Sequence, residues 1–139
     1  MKVKFKKLDP NATIPTKATA GSAGFDLRAT SRINQSGSWV YGTSLAIEIP
    51  KGYAGLIFPR SSVFKTNLGL RNCVGVIDSD YRGEITFKFR PDAKYPIVYN
   101  IGDAVGQMII LKIPAIEFVE TELLSDTKRG SGGYGSTGK

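Results

Sequence analysis

The chain has 139 residues, enough for one domain with a buried core. A single cysteine, Cys73, excludes an internal disulfide, and the absence of histidine excludes Ser-His-Asp catalysis, Cys-His catalysis and histidine metal sites. The formal net charge of +7 favours an anionic partner, with nucleic acid, a nucleotide and a membrane surface all open on charge alone.

Val3 and Phe5 alternate with Lys2, Lys4, Lys6 and Lys7, the pattern of a first strand whose charged edge discourages aggregation. The start MKVKFKKLDP has charge without an apolar centre, which is not the pattern of a signal peptide, and no apolar run reaches the length of a bilayer span. Ser22 to Leu27 places Asp26 in a strand-like stretch, although alone it reads as a turn aspartate. Leu45, Ile47 and Ile49 alternate with polar or small residues. Gly55 to Phe58 is apolar throughout and is expected to lie deeper.

Pro59-Arg60-Ser61-Ser62 comes next, opening an expected helix from Ser61 to Asn67 with a serine to cap it and Gly69 to stop it. An arginine and two hydroxyls at that point suit phosphate, or equally a plain cap. Gly75 to Glu84 reads as a hairpin dense in charge. Ile85, Phe87 and Phe89 alternate with Thr86, Lys88 and Arg90, a strand with one charged face. Gly102 to Gln107 leads into the apolar run Met108 to Ile113, also expected to be deep. Many short strands divided by Gly and Pro turns predict an all-β sandwich or barrel of jelly-roll type with one short helix. After Leu124 the composition changes. SDTKRGSGGYGSTGK holds five glycines and cannot build a core, so the expected division is a β domain over 1–124 and a flexible arm over 125–139. Arg129, Tyr134, Ser136 and Thr137 among those glycines would also suit an arm that closes over an anion. With no histidine, a general base must be a carboxylate, a lysine or a tyrosine.

In this order and spacing, AGFDL, Pro59-Arg60-Ser61-Ser62, Gly75-Val76-Ile77-Asp78-Ser79-Asp80-Tyr81-Arg82-Gly83, Gly102-Asp103-Ala104-Val105-Gly106-Gln107 and RGSGGYGSTG resemble the five motifs of the trimeric dUTPase family. The resemblance covers almost the whole chain. Two positions depart from the family pattern: Tyr134 stands where phenylalanine is usual, and Gly106 where alanine is commoner.

The resemblance implies hydrolysis of dUTP to dUMP and pyrophosphate by a homotrimer with shared sites, keeping uracil out of DNA and supplying dUMP for dTMP synthesis. Each site would take the first, second and fourth motifs from one subunit, the third from another and the arm from the remaining one. Ile116 to Leu123 resembles the family's exchanged strand. Asp78 matches the catalytic base, which also contacts the sugar. Asn72, Gly75, Val76, Ile77 and Tyr81 match the uracil and deoxyribose contacts, with Tyr134 stacking on the base. Arg60, Ser61, Ser62, Gln107, Arg129, Gly135, Ser136 and Thr137 match phosphate contacts. Asp26 matches the acid that holds the waters of a Mg²⁺ ion, with Gln107 as a second candidate. No membrane and no stable nucleic-acid partner is implied, and the implied location is the cytoplasm, or the host cell interior for a viral protein. A dCTP deaminase shares the fold, but the intact Asp80-Tyr81 pair is atypical of one. A nucleic-acid or regulatory binding module would rest on the basic surface alone.

Overall fold

The protein is described over residues 1–136 by a computed structural model. Two antiparallel sheets share one core. The first runs β1 (Lys4–Lys7), β4 (Ser38–Glu48), β8 (Glu84–Pro91), β6 (Leu68–Leu70), with β3 (Ser31–Gln35) also paired to β4. The second runs β2 (Phe25–Arg28), β9 (Ala104–Lys112), β5 (Tyr53–Phe58), β7 (Gly75–Ile77). Among the described residues the only helical element is a 3-10 turn, Ser61–Lys65, so the all-β jelly-roll expectation holds.

The period-two reading of β8 is met residue by residue. Ile85, Phe87 and Phe89 are fully buried, while Thr86, Lys88 and Arg90 are exposed. Their rings meet β4 across the sheet, with Tyr41 edge-on to Phe89 at 5.8 Å between centroids. Burying such a side chain stabilises by about 1.5–3 kcal/mol. The long strand β4 serves two neighbours by bending. Its register to β8 shifts between Gly42 and Ala46, and Ser44 there has a positive φ of 50°. Bent backbone loses ladder partners, and side chains replace them. The Ser44 N–H donates to Glu84 Oε1 at 2.6 Å, and the buried Thr43 hydroxyl donates to the Ile85 carbonyl at 2.7 Å.

Three expectations are corrected. The helix stops at Lys65 rather than Asn67, and no side chain caps it, since Arg60 occupies the cap position in extended conformation. Gly69 does not stop it, but lies within β6. Gly75 to Glu84 is not a hairpin: β7 pairs with β5 in one sheet and β8 with β4 and β6 in the other, so this segment crosses between sheets. Finally, Met108 is buried but Leu111 and Ile113 are about half exposed, because β9 runs past the end of the core.

Gly106 faces that core. A Cβ there would enter the ring of Phe87, itself fully buried. The departure from alanine is therefore matched by a bulky partner on the opposite sheet. Gly106→Ala is expected to destabilise by about 1–3 kcal/mol through overpacking, and Phe87→Leu in the same chain should recover part of that loss. Denaturant unfolding of both variants checks it, and additive losses would show that the two positions are not coupled.

Candidate functional site

The residues singled out from sequence before the C-terminal segment fall into two clusters at opposite ends of one strand pair. The first cluster is built by register. Asp26 on β2 lies across from Gln107 on β9, and Gln107 lies across from Phe58 on β5. The chain leaves β5 through Pro59, and the Arg60 side chain turns back so that Nε meets Asp26 Oδ1 at 2.9 Å. Gln107 Nε2 donates to the Pro59 carbonyl at 3.2 Å, tying strand to loop. Gly24 makes room for this amide, since a Cβ there would sit 2.5 Å from Gln107 Oε1. Ser61 and Ser62 come next, at the start of the 3-10 turn. Asp26, Arg60 and Ser62 line a cavity of about 380 Å³, which Arg28, Lys65 and Asp103 also border. Three cations against two carboxylates leave its wall positive, as an anionic ligand requires.

Tyr99 stands behind this wall with its hydroxyl buried. Burial pushes its phenol above the ordinary tyrosine value, an effect opposed by the Ser62 and Thr66 hydroxyls and the Arg60 guanidinium, while Asp103 adds to it.

The second cluster lies along and just after β7. This strand is the edge of its sheet, so its outer side carries backbone groups without a strand partner. Gly75 is required by packing, because a Cβ would strike the Ile57 side chain, and Asn72 Nδ2 lies 3.2 Å from that same point. Asp78 is exposed just beyond β7, where the Tyr81 N–H donates to its carbonyl at 3.2 Å. The Tyr81 ring folds back over Gly83, and its hydroxyl donates to the Glu84 carbonyl at 3.1 Å. One face of the ring stays open, with 43% of the residue exposed.

The two clusters do not meet within one chain. Ile77 pairs with Gly55, so Asp78 continues toward Ala54, whereas Arg60 lies beyond the other end of β5. At roughly 3.3 Å per strand residue, about 20 Å separates them. The C-terminal segment joins neither cluster. Arg129 Nε donates to the Gly132 carbonyl at 2.8 Å, Gly135 has a positive φ of 86°, Ser136 closes a turn on Gly133, and the Tyr134 ring is fully exposed. Thr137 lies outside the described residues. Among the described residues no group of three or more His, Cys, Asp or Glu could hold a metal ion.

Sequence reasoning missed Arg28, Lys65, Thr66, Tyr99 and Asp103 at the cavity, and the spatial role of Gly24. Tertiary register brings Arg28, Tyr99 and Asp103 beside Arg60, while Lys65 and Thr66 reach the cavity through the 3-10 turn that follows it.

The dUTPase family model matches residues 10–138. The deoxyuridine 5'-triphosphate nucleotidohydrolase of Nautilia profundicola is 42% identical over 142 residues, covering 100% of both chains. That of Corynebacterium glutamicum is 41% identical over 141 residues, covering 99% of this chain and 95% of the other. Among solved structures, the dUTPase of Staphylococcus bacteriophage 80alpha with dUpNHpp superimposes with a TM-score of 0.85 at 25% identity, with 99% of each chain covered.

Gly24→Ala tests the first cluster. The added methyl meets a flexible amide rather than backbone, so the fold should survive with a melting temperature within a few degrees of wild type, an effect of about 1 kcal/mol or less. The Gln107 amide should leave the Pro59 carbonyl, and its side-chain NH₂ resonances should move. Unmoved resonances would mean that Gly24 does not govern Gln107.

Proposed function

The chain belongs to the dUTPase family, and from that membership and the two clusters we propose that it hydrolyses dUTP to dUMP and pyrophosphate as a homotrimer with shared sites. The observation that carries the shared site is the separation of Asp78 from Arg60 along β5. A water attacking the α-phosphorus must stand beside both its base and the phosphate ligands, so the two clusters must come from different copies.

The tail supports the same assembly. No strand occurs after Lys112 among the described residues, yet Ile116, Phe118, Val119, Leu123 and Leu124 are exposed, Phe118 at 96%. So many apolar groups left in water mark an interaction surface. An apolar cavity of about 370 Å³ bordered by Met1, Val3, Phe5, Phe25 and Met108 is a receiving surface of matching chemistry for a neighbour's tail.

In this reading Asp78 takes the proton from the attacking water. Tyr81, held by its hydroxyl donating to the Glu84 carbonyl, packs against the deoxyribose, and its ring leaves no room for a 2′-hydroxyl. The open edge of Gly75, Val76 and Ile77, with Asn72, reads uracil. A cytosine would present a donor to a backbone N–H there and leave it unpaired. Arg60, Ser61, Ser62 and Gln107 bind phosphates from one side. The arm over 125–139 closes from the other, with Arg129, Gly135, Ser136 and Thr137 on phosphate and Tyr134 stacked on the base. Asp26 fits a hydrated Mg²⁺: one oxygen is engaged by Arg60, leaving the other for a metal-bound water, and so sparse a carboxylate set suits an ion held mainly by phosphates and water. When bound, Mg²⁺ would offset charge on the phosphates, with Asp26 and Gln107 holding its waters. A dCTP deaminase and a non-catalytic binding module are not favoured by the family match or the named relatives. Among the described residues no helix is long and apolar enough to cross a membrane.

Asp78→Asn should lower turnover by roughly two to four orders of magnitude while dUpNHpp still binds. Arg60→Ala should also be nearly inactive. Refolding the two together should restore activity, because a mixed trimer can pair an intact Asp78 with an intact Arg60. Mixed trimers without recovered pyrophosphate release would overturn the shared site. Truncation after Leu124 should keep the trimer, measured by light scattering, and remove most of the turnover. Full activity of the truncated chain would show that the arm is not part of the site.

A further inference from the structure

The phosphate-binding wall leaves one buried group unexplained. Tyr99 is only 6% exposed, and its ring packs edge-on to Tyr41 at 6.0 Å and against Phe89 at 5.7 Å. Packing of that kind needs the ring alone, and phenylalanine would supply it. The hydroxyl is a liability there: Oη is buried and has no hydrogen-bond partner among the described residues. An unsatisfied buried hydroxyl costs about 1–3 kcal/mol. The backbone beneath it is held as well, since the Tyr99 carbonyl accepts from Arg32 Nη1 at 2.8 Å and from the Tyr41 hydroxyl at 3.3 Å.

The phenol stands with Ser62, Thr66 and Arg60 at the wall of the 380 Å³ cavity. The Thr66 hydroxyl already donates to the Val63 carbonyl at 2.7 Å. A serine hydroxyl has one proton and two acceptor sites, so its proton can point either way unless a neighbour decides. We propose that Tyr99 is a positioning residue for Ser62: when a phosphate engages Ser62, the unpartnered Tyr99 hydroxyl donates to Ser62 Oγ and so turns the Ser62 proton outward to the phosphate. Burial keeps the phenol protonated, so it remains a donor across the neutral range. The chain Tyr99 O–H to Ser62 Oγ, Ser62 O–H to phosphate oxygen uses each proton once and satisfies the lone hydroxyl. This inference rests on the phosphate role assigned to Ser62.

Tyr99→Phe removes one oxygen and keeps the ring, so the variant folds. Its melting temperature should match or exceed that of wild type. Binding of dUpNHpp with Mg²⁺ should weaken about fivefold to tenfold, part of the strength of a hydrogen bond to a charged group, while competition by deoxyuridine, which has no phosphate, should be unchanged. In a Ser62→Ala background, Tyr99→Phe should have no further effect on dUpNHpp binding. Unchanged dUpNHpp binding in Tyr99→Phe, additive losses with Ser62→Ala, or coupling to Thr66→Val in place of Ser62, would each overturn the assignment. Because the readout is binding, it is separate from pyrophosphate release by the wild type, whose absence would instead overturn the proposed hydrolysis.

Discussion

The register of β9 between β2 and β5 is the constraint on which both the core and the cluster of Asp26, Arg60 and Gln107 depend. A strand turns alternate side chains to opposite faces, so a slip by one residue exchanges core for solvent. In the register observed, Gly106 faces Phe87 and Gln107 faces outward between Asp26 and Phe58. A slip would drive the Gln107 amide into the ring of Phe87 and leave a glycine across from Asp26. The large ring against the missing side chain thus acts as a gauge that holds Gln107 outward. Arg60, two residues beyond Phe58, then falls within reach of Asp26.

The same sheet explains why neither cluster suffices alone. Antiparallel pairing sends β5 and β7 in opposite directions, so the loops leaving their C-terminal ends emerge at opposite ends of the sheet. The shorter the loops, the more firmly that separation is enforced. Folding therefore places the Arg60 cluster and the Asp78 cluster on one chain without joining them. In the assembly proposed above, other copies would complete the geometry that a single sheet forbids and would cover the exposed apolar tail beyond Lys112.

Much of this fold was legible in the sequence where burial alternates. Ile85, Phe87 and Phe89 stood out because one face of β8 is core and the other is water. β6 and β7, of three residues each, are too short to display a period. The crossing from β7 to β8 looks like a hairpin because the same Gly, Asp and Ser residues serve a chain that reverses and a chain that changes sheet. The 3-10 turn was overextended because Gly69 reads as a helix stop, whereas it belongs to β6 and pairs with β8. Within the candidate site, Asp26, Arg60, Ser62 and Gln107 could be picked out by their chemistry, but their convergence is a product of register and not of sequence distance. Tyr99 could not be picked out at all. In the stretch Pro96 to Asn100 it looks like one more apolar residue, and only the buried environment of its oxygen gives it meaning.

The exposed edge of β7 has a consequence for solubility as well as for recognition. An open strand edge invites any other extended chain to pair with it, and proteins commonly guard such edges with lysine or proline. Neither residue occurs between Gly75 and Ile77. Brevity replaces the guard. Three residues offer too few backbone bonds to template a foreign strand, and the chain turns away at Asp78. An edge of that length admits a small planar partner and little else, so the protein tolerates an unprotected edge without becoming a seed for aggregation.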